Sequence, residues 1–242
     1  MLPMSSLRAR QLVVLRDRVR RLEKPRAAEL PVLSLGLPVF DQALPWGGLP
    51  TGVLHEIVGR PGDAAAGGFA VRLLCALVSL RKRPALWCQG EGDAGAPYAP
   101  GFSQAGLVSE QVIFVQARKP AELLWAMEEG LRSGAFAAVL GEGVSPDLTA
   151  TRRLQLAAEA GGTTALLALP WRTSGAVSAA LTRWQVTSVP TEADSEAARW
   201  QVELQRCRGG AGGAWQVTCD EALRLRLAAV LAERTLAPAA AE

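Results

Sequence analysis

Between Val53 and Leu80 the chain reads VLHEIVGRPGDAAAGGFAVRLLCALVSL, and no other stretch restricts the fold as much. Val53, Leu54, Ile57 and Val58 form a short apolar run of the kind found in a strand buried on both faces of a parallel sheet. Gly59 to Gly68 break the run. From Phe69 onward, Phe69, Leu73, Leu77 and Leu80 recur at helical spacing, flanked by Val71, Leu74 and Val78. Strand, glycine-rich turn and helix in direct succession are the scaffold of a phosphate-binding loop, because turn amides and a helix N-terminus both attract anions. The working form, G-x-x-x-x-G-K-[ST], adds a lysine for the β- and γ-phosphates and a hydroxyl for magnesium. Here the frame opening at Gly59 puts Ala64, Ala65 and Ala66 in the Gly, Lys and Ser/Thr places. The frame opening at Gly62 reaches Gly67 and then offers Gly68 and Phe69. Gly59, Gly62, Ala64, Ala65, Ala66 and Gly67 therefore read as a degenerate nucleotide loop, with no cofactor and no metal expected.

Composition narrows the classes further. A 242-residue chain with 49% apolar residues supports one full α/β domain with appendages. The first 26 residues carry eight Lys and Arg against Asp17 and Glu23, a net +6; the whole chain is +3, so the remainder is −3. A slightly acidic body behind a basic arm argues against a broad phosphate-binding face on the body. Cys75, Cys88, Cys207 and Cys219 lie far apart without C-x-x-C spacing, so buried thiols in a reducing cytoplasm are expected. His55 is the only histidine, which leaves a metal site without ligands. No apolar run approaches the ~20 residues of a membrane span, and no signal peptide precedes the arginines, so a soluble cytoplasmic protein is expected.

The periodicity divides the chain into a basic amphipathic helix over 1–24, a linker over 25–32, a core over 33–236 and a tail over 237–242. Leu12, Leu15, Val19 and Leu22 form a narrow seam on the first helix, which Pro25 ends. That seam fits either the chain's own core or a partner. Strands are predicted at 85–88, 112–116, 137–140, 164–169, 183–189, 199–206 and 215–219, with helices at 38–44, 120–133 and 151–160. From Asp220 to Leu236 two patterns compete. Leu223, Leu225 and Leu227 alternate like a strand, whereas Leu223, Leu227, Val230 and Leu231 fit a helix capped by Asp220; a helix after a short extension is the favoured reading. Of seven tryptophans, Trp46 and Trp171 stand in loops flanked by Pro and Gly and are read as exposed interface anchors; Trp184, Trp200 and Trp215 are expected in the core.

The order Phe40-Asp41, Leu44, Gly47-Gly48-Leu49-Pro50, Gly52 and then Glu56-Ile57-x-Gly59 resembles the entry to the ATPase core of RecA-type recombinases. The resemblance implies an α/β, RecA-like ATPase core with a mostly parallel central sheet, helices on both faces and an N-terminal helical arm. It also implies that Glu91, after the 85–88 strand, stands where RecA-type cores keep the acid that aligns the attacking water. With no lysine, metal or γ-phosphate, Glu91 is read as a vestigial catalytic acid and ATPase activity is not expected. The Walker B aspartate is missing: Gly141 occupies its place, and Glu142, one residue on, points to the other side of the strand. The stretches matching the DNA-holding loops, 143–150 and 171–176, are short and carry only Arg172 as a cation, so single-stranded DNA is expected to bind weakly or only through the arm.

Together with the degenerate loop and the arginine-rich arm, LPVFDQALPWGGLPTGVLHEI resembles the ImuA family, RecA-like proteins encoded with an inactive Y-family polymerase homologue, ImuB, and an error-prone DnaE-type polymerase. The resemblance implies a non-catalytic accessory role in damage-induced mutagenesis, within translesion synthesis and the SOS response. The implied contacts are with RecA and/or the ImuB-type homologue, and indirectly with the DnaE-type polymerase. Leu12, Leu15, Val19, Leu22, Trp46 and Trp171 are the candidate partner-binding residues. The same superfamily includes SulA-type cell-division inhibitors that bind FtsZ, which is one alternative; a cryptic ATP-binding or DNA-binding RecA paralogue is the other.

Overall fold

A computed structural model describes residues 30–90, 99–171, 175–191, 197–210 and 212–234. The arm with Leu12, Leu15, Val19 and Leu22, most of the linker, Glu91, Arg172 and the tail lie outside the described residues.

In chain order the elements are β1 (Val32–Leu33), α1 (Pro38–Ala43), β2 (Leu49–Pro50), β3 (Leu54–Gly59), α2 (Ala65–Arg81), β4 (Ala85–Gly90), α3 (Ala99–Gln104), β5 (Val112–Ala117), α4 (Pro120–Ser133), β6 (Ala138–Glu142), α5 (Leu148–Gly161), β7 (Thr164–Pro170), β8 (Thr182–Val189), β9 (Ala198–Cys207), β10 (Gly212–Cys219) and β11 (Leu225–Arg234). β1 and β2 form a small antiparallel pair. The other nine strands make one sheet in the order β11-β10-β9-β8-β3-β7-β6-β4-β5. Pairing is parallel from β8 through β5 and antiparallel from β8 out to β11.

β3 lies in the interior of the sheet, and all six of its residues are buried. Its apolar run therefore serves two cores, because successive side chains leave opposite faces of a strand. Ile57 joins Phe69, Leu73 and Leu77 of α2 on one face, with Phe40, Trp184 and Trp215 completing that layer. Leu54 and Val58 join Leu123, Met127 and Leu131 of α4 and Leu154 of α5 on the other. Helices thus cover both faces of a mostly parallel sheet, the predicted RecA-like α/β core.

His55 is fully buried between the layers, and both ring nitrogens are bonded. Nε2 lies 2.8 Å from the Pro50 carbonyl oxygen, which can only accept, so Nε2 carries the proton. Nδ1 then accepts from the Thr182 hydroxyl at 2.7 Å, and that hydroxyl accepts from Trp184 Nε1 at 3.0 Å. Burial holds the imidazole pKa down at about 4, so the ring is a neutral structural link.

The C-terminal segment corrects the favoured reading: Leu225–Arg234 is a strand, not a helix. Its pairing with β10 matches Cys219 with Leu225, Val217 with Leu227, Trp215 with Val230 and Ala214 with Ala232, and is irregular at two points. Each irregularity is a bulge that inserts one extra residue in β11, stretching the spacing between Leu227 and Val230 to three. A bulged strand therefore carries the spacing of a helical stripe. Asp220 does cap, but it caps a turn: its Oδ1 accepts from the Arg224 amide at 2.9 Å, and its main-chain carbonyl accepts from the Leu223 amide.

Candidate functional site

The β3–α2 junction is where the sequence places the scaffold of a phosphate-binding loop. Gly59 ends β3 against α2 so closely that a Cβ there would stand 2.4 Å from the Ala66 methyl. Gly62 turns the loop with φ +76°, and the Asp63 amide closes the turn on the Arg60 carbonyl at 3.1 Å. Ala65 and Ala66, in the Lys and Ser/Thr places, are buried, while Ala64 and Gly67 are exposed.

Asp63 occupies the mouth of this loop. Its Oδ1 accepts from the Ala65 amide at 2.9 Å and from the Ser188 hydroxyl at 2.7 Å, and its Oδ2 accepts from the Ser188 amide at 2.8 Å. Burial alone would raise the Asp63 carboxyl; the bonds from Ser188 and Ala65 and the charge of Arg60 outweigh it and hold the group below its ordinary value. An anion therefore already sits at the start of α2, and it is the chain's own carboxylate. A helix N-terminus with its dipole favours a negative charge at this position. The loop's cation is also engaged: the Arg60 guanidinium lies 5.0 Å from the centre of the Trp171 ring, a cation–π contact.

The place of the Walker B acid is closed on the opposite face. A Cβ on Gly141 would meet Met127 Sδ at 2.3 Å and Cε at 2.7 Å, so the second core fills the space an aspartate would need. Glu142 leaves the other face of β6 and accepts from Gln89 Nε2 of β4 at 2.7 Å. Burial holds its carboxyl above the ordinary value.

After β7 the chain is pinned to the sheet by a buried ion pair. Arg183 Nε of β8 donates to Glu56 Oε2 of β3 at 2.6 Å, with only 5% and 1% of the two side chains exposed. The Ser178 hydroxyl bonds the other carboxylate oxygen at 2.5 Å, and the guanidinium also donates to the Ala176 carbonyl at 2.8 Å. Arg206 Nη1 donates to the Ser178 carbonyl at 2.6 Å.

The structure places Gly59 at the end of β3, Gly62 and Ala64 in the turn, and Ala65, Ala66 and Gly67 in the first turn of α2, with Trp171 beside the turn through Arg60. Trp171 and Trp46 are half-buried, Trp46 packing against the α2-side core. Trp125 on α4, at 63% exposure, is the more open tryptophan and was hidden in the sequence by the apolar face of its own helix. The pattern also passed over Asp63 and Ser188. An acid beside a helix start signals a cap, but its partner 125 positions away leaves no local trace. All four cysteines are free; burial lifts Cys88 and Cys207 to about 12 and Cys75 and Cys219 to about 11, so they remain protonated thiols. Among the described residues no group of three His, Cys, Asp or Glu side chains is placed to hold a metal. No helix among them is long and apolar enough to cross a membrane.

Sheet order and two-sided helix cover define a RecA-like α/β core, with the Asp63 carboxylate bonded at the β3–α2 turn. No family model matches the chain. Two curated relatives, each named Protein ImuA, come from Caulobacter vibrioides strains NA1000 / CB15N and ATCC 19089 / CIP 103742 / CB 15. Each is 35% identical over 235 residues, covering 87% of this chain and 94% of the relative. The chain belongs to the ImuA family.

Proposed function

We propose that this protein is a non-catalytic accessory factor of damage-induced mutagenesis, acting through protein contacts with RecA and/or an ImuB-type polymerase homologue. Family membership supports the setting in mutagenesis. The observation that carries the non-catalytic reading is the Asp63 carboxylate at the start of α2, bonded to the Ala65 amide and to Ser188. A phosphate entering that position meets a like charge, with no lysine or metal hydroxyl to offset it. Partner contact then falls to surfaces away from the loop, with the seam of Leu12, Leu15, Val19 and Leu22 as the proposed element.

The test joins ligand and partner measurements. A ligand that binds only the folded protein adds about 2.7 kcal/mol at ~100 times its Kd, so thermal unfolding with millimolar Mg-ATP should show no shift. Purified RecA or ImuB homologue should be retained by the wild-type chain and lost by the Leu15→Asp, Val19→Asp double variant. A rise of several degrees with Mg-ATP would overturn the non-catalytic reading. Undiminished retention by the double variant would overturn the role of the arm.

A further inference from the structure

β5 closes the parallel side of the nine-stranded sheet, and among the described residues alternate N–H and C=O groups along its outer edge meet no strand. Sheet edges are commonly guarded against pairing with another chain by charge, proline or bulges. The opposite edge has such a guard, since two bulges break the ladder of β11. β5 has none. Its sequence, VIFVQA, carries no charge and no proline, and all six residues pair with Ala85–Gly90 of β4 without a shift of register.

Its side chains are also left uncovered. Ile113 is 50% exposed and Phe114 39%, although both are large and apolar. Ile113 is in register with Leu86 of the α4-side core, and Phe114 with Trp87 of the α2-side core. Both cores therefore run out to this edge and end there on an open apolar residue. An occupant has to supply backbone bonds along the edge and apolar contact on both faces, which another strand does and a helix does not.

The charges at the two ends of β5 select which strand. Glu110 stands in the single turn Ser109–Gln111 just before it, and Arg118 follows it directly. Both are exposed, and neither makes an ion pair among the described residues. An acidic start and a basic end make the strand complementary to itself when two copies run antiparallel. Directly opposed residues of such a pair share a face, so a two-fold pairing centres on a residue. Centring on Phe114 sets Ile113 opposite Val115, Val112 opposite Gln116, and the turn of Glu110 beside Arg118 of the other copy. Centring on Ile113 or Val115 slides the strands by two residues and parts the charges.

We propose that β5 is the interface of a two-fold dimer of this chain, centred on Phe114 and closed at each end by a Glu110–Arg118 pair. The two nine-stranded sheets then become one. Six paired residues a side make a small interface, so micromolar association is expected. The dimer uses neither the β3–α2 turn nor the arm, so it stands or falls apart from the function proposed above.

Sedimentation of the full chain over a concentration series tests it. The chain should pass from monomer to dimer and no further, because a two-fold contact closes on itself. Phe114→Asp, which sets two carboxylates opposite each other on the axis, should remain monomeric. Glu110→Arg should raise the dimer Kd roughly tenfold, and adding Arg118→Glu should restore it, as only a register joining these two positions allows. Should Phe114→Asp fold poorly, the exposed charge pair carries the test alone. Phe114→Cys should form a disulfide dimer on mild oxidation, since opposed Cα atoms lie about 4.5–5.5 Å apart. Ile113→Cys, diagonal to its own copy at ~7–8 Å, should not. The Leu15→Asp, Val19→Asp variant should dimerise like the wild type. A chain that stays monomeric at every concentration overturns the proposal. A dimer that survives Phe114→Asp, is not restored by the charge exchange, or is lost with the arm variant overturns it as well.

Discussion

Asp63 and Ser188, at the start of α2 and near the end of β8, are joined by two hydrogen bonds of 2.7 and 2.8 Å to one carboxylate. The same carboxylate also accepts from the amide of Ala65, the first residue of α2. Asp63→Ala should cost about 1–2 kcal/mol, as loss of hydrogen bonds to a charged group does, and Ser188→Ala about 1 kcal/mol. Because they share partners, the double variant should lose less than the sum of the two. Urea midpoints of the four proteins measure this, and strict additivity would mean the link contributes nothing.

Gly141→Asp should not restore an ATPase but damage the fold. Its Cβ would overlap Met127 Sδ, and the carboxylate would be buried in the α4 layer without a partner. The combination of overpacking and an unpaired buried charge should lower stability by more than about 3 kcal/mol. Chemical denaturation reads the value, and near-wild-type stability would show that the α4 layer yields easily.

The buried imidazole makes stability depend on pH in a fixed direction. His55 titrates at about 4 in the folded chain and near 6.5 when unfolded, so between those values the unfolded state holds the extra proton. Stability should therefore fall as the pH drops from 6.5 toward 4, by about 3 kcal/mol in total. Glu142, held above its ordinary value, acts in the opposite direction over part of this range. The difference between wild type and His55→Gln isolates the histidine, and parallel pH curves for the two would sink the assignment.

Removing one partner of the Glu56–Arg183 pair leaves the other charged and buried, so Glu56→Ala or Arg183→Met should cost about 3–5 kcal/mol. Glu56→Ala should also free Ser178, and Arg183→Met should release the Ala176 carbonyl. Hydrogen exchange at residues 176–180 should accelerate in both variants beyond the rate set by global unfolding. Exchange that tracks global stability alone would show that the pair does not hold this segment.

The interior strands of the parallel half were legible because they are buried on both faces and so appear as unbroken apolar runs, as Ala85–Cys88 and Thr164–Leu169 do. The β3–α2 junction was legible as an apolar run, a glycine-bearing turn and a helical stripe in direct succession. β11 misled because two bulges gave a strand the spacing of a helix. The Met127 side chain behind Gly141 and the Arg60–Trp171 stack could not be read, since each joins residues distant in sequence that no periodicity links.

The place of β3 in the sheet also fixes an order of events during synthesis. Both neighbours of β3, β7 and β8, follow it in the chain, with His55 and Thr182 separated by 127 positions. At roughly 5–20 residues per second, the ribosome leaves this apolar strand without either sheet neighbour for several seconds or more. A nascent chain stopped before Thr164 holds β3 with both edges open. Nonsense fragments of this length should therefore aggregate or be degraded, and not persist as partial domains.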